Sequence, residues 1–217
     1  MLELISRRER MDLFIAWLGI TIAFTLAIVL SGFSGKLEPT FFLTIFAISC
    51  VTVGIAFVLH EMAHKFTAMK YGFYAEFRKD NIMLLMSVVL AALVHIVFAA
   101  PGATVIYGEY LSKEQNGKIS AAGPLVNLVL CIPFGAMIFL APLLAGFGSM
   151  VGFIGVMGLQ INSMIAAFNL LPVSVLDGKK VLAWKPVVFV VMIAISFVIL
   201  IVVLVLKPTG LFGESGE

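Results

Sequence analysis

The chain has 217 residues, of which 62% are hydrophobic and only 12% charged, and its mean hydropathy is +1.15. Soluble domains carry about 25% charged residues, so a water-soluble globule is excluded, as are a disordered chain and a disulfide-rich secreted module. What remains is an integral membrane protein built mostly of helices, and a formal net charge of +2 gives no reason to expect nucleic acid.

A bilayer span needs about 20 apolar residues. The first such stretch, 13–33, follows Arg7, Arg8 and Arg10. It is too long for a signal-peptide core and no small-residue cleavage site follows it, so it reads as a retained anchor. The second runs over 41–64, and no proline interrupts 41–71, so one helix continues beyond the apolar run. The stretch 82–100 is long enough to span but ambiguous. A polar segment, 107–118, precedes three further apolar runs, 119–143, 150–172 and 186–206, and 207–217 forms a short tail. The pattern predicts an all-α polytopic membrane protein with five to six hydrophobic segments and no soluble domain. Cys50 and Cys131 lie in apolar runs without CxxC spacing and read as small fillers. Trp17 and Trp184 read as interfacial anchors, and the glycines at 146, 148, 152, 155 and 158 as sites of close helix packing.

Charge sidedness bears on 82–100. If it does not cross, the cytoplasmic side holds Arg7, Arg8, Arg10, Lys65, Lys70, Arg78, Lys79, Lys113, Lys118, Lys179, Lys180 and Lys185. That is 12 of the 14 basic residues, with only Lys36 and Lys207 outside. If it crosses, the split becomes 8 against 6. The first arrangement is the better one. It predicts that 82–100 dips in and returns or lies buried against the bundle, with a cytoplasmic N-terminus.

His60-Glu61-Met62-Ala63-His64 closes the second apolar run. On a helix, His60 and His64 are one turn apart on the same face. Two imidazoles so placed can hold one Zn²⁺, with the intervening Glu61 as general base. Ionisable groups at the end of an apolar helix are costly and usually functional. Zinc hydrolases use three protein ligands. His95 falls in the ambiguous stretch and reads as a partly buried neutral histidine. Of the acids after His64, only Asp177 closes a hydrophobic run flanked by turn chemistry, Asn169-Leu170-Leu171-Pro172 before it and Gly178 after it. The non-crossing topology also puts Asp177 near the cytoplasmic face with the two histidines. A divalent-cation transporter would spread acids over several spans, whereas here the only such carboxylates are Glu61 and Asp177.

With these residues in place, the chain resembles the site-2 protease family of intramembrane zinc metalloproteases. Three motifs match in order: HEMAH at 60–64, Gly123-Pro124-Leu125-Val126-Asn127, and Asn169-Leu170-Leu171-Pro172 through Leu176-Asp177-Gly178. Together they cover a core from about 41 to 180 within a single membrane protease domain, 1–217. The resemblance implies zinc bound by His60, His64 and Asp177, Glu61 as base, and a transmembrane protein as substrate, cleaved near the cytoplasmic side of the lipid bilayer. It also implies that Asn127 and Asn169 contact the substrate backbone or its oxyanion. A membrane-associated β hairpin between the second and third spans is expected as well, with Ala99–Tyr107 the segment that fits. Ala63 stands where many members have Gly, and Lys179 where many have a second Gly after the Asp.

Overall fold

The computed structural model describes residues 4–31, 38–95, 97, 101–108, 110–173 and 176–206. The tail 207–217, Lys36, and Ala99 at the start of the expected hairpin lie outside them. The elements run α1 (Arg7–Ser31), α2 (Pro39–Lys70), β1 (Tyr74–Lys79), α3 (Asn81–Val94), β2 (Gly102–Tyr107), α4 (Lys113–Leu140), α5 (Gly148–Asn169), α6 (Asp177–Trp184) and α7 (Pro186–Leu206). Among the described residues five helices are long and apolar enough to cross a membrane: α1, α2, α4 with the short 3₁₀ turn that follows it, α5 and α7. The protein is a polytopic helical membrane protein with one small sheet, β1 against β2. The strands pair antiparallel: the Asp80 N–H donates to the Pro101 carbonyl at 2.9 Å, and the Tyr74 and Tyr107 rings lie 5.6 Å apart. The strand expected near 101–107 is β2. Its partner is β1, and the two form the small antiparallel sheet expected between the second and third spans, with α3 lying between them in the chain.

Cα packing divides the chain into two compact units, one of 1–58, 76–105 and 206–217, the other of 59–75 and 106–205. In the first, the buried Glu9 of α1 accepts the Phe77 N–H of β1 at 3.0 Å. Arg78 bonds both Asp12, at 3.4 Å, and Glu76, so the charges at this end are paired. The indole N–H of Trp17 donates to the Cys50 carbonyl at 3.1 Å, with Gly54 leaving room for the ring. Trp17 therefore locks two helices together through a main-chain carbonyl.

Within the ambiguous stretch lies α3. Its 14 residues span about 21 Å at 1.5 Å per residue, short of a hydrocarbon core of about 30 Å. Asp80 caps its start by accepting from Ile82 and Met83, and His95, with φ 58°, ends it in the left-handed region. His95 is exposed, not partly buried as expected, because it is the residue at which the helix stops. The Asp80–Pro101 bond means that the chain re-enters the sheet beside the point where it left. Asp80, before α3, and Pro101, before β2, are thus side by side.

In the second unit a capping box, Ser112 with Gln115, starts α4. α5 runs antiparallel to it. Gly155 and Gly158 lie against Ile138 and Phe134, and Leu170 at the far end packs with Ala121. The close-packing role expected of the glycines thus holds for these two. Ala121, Leu170, Val181, Phe189 and Met192 form one buried cluster that ties α4 to the end of α5, α6 and α7. Trp184 is half-buried against Gly117 in the same unit.

Candidate metal centre

The centre lies within the second unit, on the last turns of α2, the first half of α4, the end of α5 and the start of α6. The helical register of α2 puts His60 and His64 on one face, their rings edge to face at 4.7 Å. His60, His64 and Asp177 are buried to within a tenth of their surface, as is Glu61 between the histidines. The two Nε2 atoms are 3.0 Å apart, and the Asp177 carboxylate lies 3.1 Å from His64 Nε2 and 3.6 Å from His60 Nε2.

The hydrogen bonds behind the rings fix what those nitrogens can do. His64 Nδ1 is 2.8 Å from the Ile119 carbonyl, which only accepts, so Nδ1 carries the proton and Nε2 a lone pair. His60 Nδ1 is 2.6 Å from Asn127 Oδ1, with the same consequence. Two imidazole lone pairs and a carboxylate oxygen therefore converge with no donor among them. A cation satisfies all three at once. Zinc bonds of 2.0–2.1 Å in a tetrahedron put ligand atoms about 3.4 Å apart, and the observed 3.0, 3.1 and 3.6 Å scatter about that edge. The donor set, two imidazoles and one carboxylate with no thiolate, is the kind that catalytic zinc takes. Among the described residues it is also the one group of His, Cys, Asp and Glu side chains that converges for a metal.

Two glycines make this convergence possible. A Cβ on Gly123 would stand 2.4 Å from His64 Nε2 and 2.7 Å from His60 Nε2, in the space where the ligand atoms meet. A Cβ on Gly178 would stand 2.0 Å from the Leu170 carbonyl, so only glycine lets α6 bring Asp177 this close to the end of α5. Lys179, the departure from a second glycine, is exposed and leaves that approach untouched.

The expected site residues divide. His60, His64 and Asp177 come together, and Glu61, next to His60 on α2, is buried. Asn127 is fully buried, with Oδ1 on His60 and Nδ2 donating to Asn162 Oδ1 at 3.0 Å. Asn169 is half-buried at the end of α5 and donates to the Ile165 carbonyl at 2.9 Å. Lys65, counted with the cytoplasmic basic residues, is 1% exposed. His95 is not part of the group. Sequence reasoning missed Asn162 and the Ile119 carbonyl. Asn162 had a signal: a polar residue in an apolar helix, two turns before Asn169 on the same face.

Fold and site together define a helical membrane protein with a metalloprotease-type centre, an HExxH helix completed by a distant aspartate. Two curated relatives carry the printed name "Putative zinc metalloprotease". One, MJ0611 of Methanocaldococcus jannaschii, is 38% identical over 186 residues, covering 86% of this chain and 89% of the relative. The other, Rip2 of Mycolicibacterium smegmatis, is 28% identical over 156 residues, covering 65% of this chain and 58% of the relative. No family model matches the chain, and no solved structure does. The chain belongs to the zinc metalloprotease family of MJ0611, and zinc is the cofactor that both its relatives' names and its donor set indicate.

Proposed function

We propose that the chain is an intramembrane metalloprotease of the site-2 protease type, hydrolysing peptide bonds within or near transmembrane segments of membrane proteins. The observation that carries this reading is the placement of His60, Glu61 and His64 on a helix apolar enough to span a bilayer, with Asp177 3.1 Å from His64.

A zinc ion held by His60, His64 and Asp177 supplies the Lewis acidity that peptide hydrolysis requires. Glu61, buried and within one turn of both histidines, takes a proton from the attacking water and delivers it to the leaving amine. Ile119 and Asn127 hold the imidazoles in the tautomer that faces the site. A substrate helix hides its carbonyls in its own hydrogen bonds and must unwind before attack. Asn169 is the side chain for its freed backbone groups. Because Glu9 takes the Phe77 N–H of β1, β2 is the strand to which an unwound substrate adds.

The site faces the cytoplasmic side, with the N-terminus on that side too. The charge count supports this, and so does the bond between Asp80, before α3, and Pro101, before β2. Labelling of single cysteines at positions 110 and 115 from the cytoplasmic side alone agrees with this orientation, and labelling only from outside overturns it. The activity is tested with purified chain in lipid vesicles and a panel of single-span substrates. The wild type cleaves within or beside the span, while Glu61→Gln keeps its zinc and loses cleavage. Full cleavage by Glu61→Gln removes Glu61 as the base.

A further inference from the structure

We propose that Asn162 is a positioning residue for the metal centre, acting on His60 through Asn127; the inference rests on the metalloprotease reading of the site. Asn162 sits on α5, is fully buried, and lies 35 positions along the chain from the residue it supports. Its Nδ2 donates to the Gly158 carbonyl at 2.8 Å, its Oδ1 accepts from Asn127 Nδ2 at 3.0 Å, and Asn127 Oδ1 accepts from His60 Nδ1 at 2.6 Å.

The direction of this relay is fixed at its far end. A main-chain carbonyl only accepts, so the Asn162 amide must turn its nitrogen to Gly158 and its oxygen to Asn127. That oxygen in turn demands the Asn127 nitrogen, which leaves the Asn127 oxygen for His60. Turning either amide over sets oxygen against oxygen or nitrogen against nitrogen, in a fully buried setting where a mismatch is costly. The relay thus puts the proton on His60 Nδ1 and the lone pair on Nε2. His64 receives the same instruction in one step from the Ile119 carbonyl. Both histidines are referred to a main-chain acceptor, His64 directly and His60 through two asparagines.

A packing role and a relay role make opposite demands on residue 162. Leucine fills the same space and makes no hydrogen bond. Aspartic acid at a site with no solvent exposure is neutral. Its hydroxyl can donate to Gly158 and its carbonyl can accept from Asn127. The test uses purified full-length chain, zinc affinity by chelator competition, and the visible spectrum of the Co²⁺-loaded protein. Asn162→Leu weakens zinc binding about tenfold, the lower end for groups behind a ligand, and shifts the Co²⁺ bands. Asn162→Asp stays within about twofold of wild type. In an Asn127→Ala background Asn162→Leu adds no further loss, because the path is already cut. Ser163→Ala, a buried neighbour whose hydroxyl bonds only its own helix, leaves both readouts unchanged.

Wild-type affinity in Asn162→Leu, equal damage from Leu and Asp, or additive losses with Asn127→Ala each overturn the proposal. Asn162→Asp decides even if the leucine variant does not fold, since a packing role predicts damage from a buried acid. Wild-type chain that takes up neither Zn²⁺ nor Co²⁺ overturns the metalloprotease reading itself, an outcome distinct from all of these.

Discussion

Gly123→Ala puts a methyl group where the metal belongs. Its carbon would lie 2.4 Å from His64 Nε2 and 2.7 Å from His60 Nε2. Ordinary contact is about 3.5 Å or more, so each imidazole must retreat by about 1 Å. Metal–ligand distances tolerate about 0.2 Å, and neither ring can move freely, since each is held from behind by a bond of 2.6 or 2.8 Å. At least one ligand is lost. Zinc affinity then falls by at least about 100-fold, or about 2.8 kcal/mol at 1.4 kcal/mol per tenfold. The assay is competition with a chelator of known affinity on purified chain, alongside helical content. The matched control is Gly135→Ala on the same helix, where a Cβ meets nothing within 4 Å. It leaves zinc affinity unchanged and gains helix propensity. Wild-type zinc affinity in Gly123→Ala refutes the convergence of ligand atoms at this point.

Further outcomes follow from the same contacts. Asp177→Ala leaves two ligands of three and lowers zinc affinity by more than about 100-fold, while zinc retained at wild-type strength removes Asp177 as a ligand. Gly178→Ala drives a methyl into the Leu170 carbonyl, costing about 1–3 kcal/mol of stability and displacing Asp177. Both unfolding and zinc titration register it, and a variant normal in both contradicts the packing account of α6. Trp17→Phe keeps an aromatic ring but loses the bond to the Cys50 carbonyl, costing about 1 kcal/mol of thermal stability. A role confined to the membrane interface predicts no such loss.

Much of this molecule could be read in the sequence because a bilayer makes simple demands. Five apolar runs became five helices, since an unpaired backbone cannot exist in hydrocarbon. The ligand set was legible because acids and histidines are so scarce that HEMAH and Asp177 had few rivals. Local spacing did not reveal what arises from packing between helices distant in sequence. β1 was missed because Tyr74–Lys79 is a short polar strand whose partner comes only after α3. The bonds that Asn127 makes to His60 and Asn162 could not be read from spacing, because only the fold brings those residues to its two ends. The bond from the Trp17 indole N–H to the Cys50 carbonyl likewise joins helices distant in sequence. His95 looked buried because its neighbours are apolar, yet it ends a helix in a left-handed turn.

The account rests on one ion held by two imidazoles and a carboxylate. X-ray absorption at the zinc edge of the purified, zinc-loaded chain tests it most directly. The account predicts one zinc per chain in a shell of nitrogen and oxygen at about 2.0–2.1 Å with two imidazoles, losing imidazole scattering in His60→Ala and His64→Ala. Sulfur in the shell, from Cys50 or Cys131, or a shell unchanged in those variants, contradicts it.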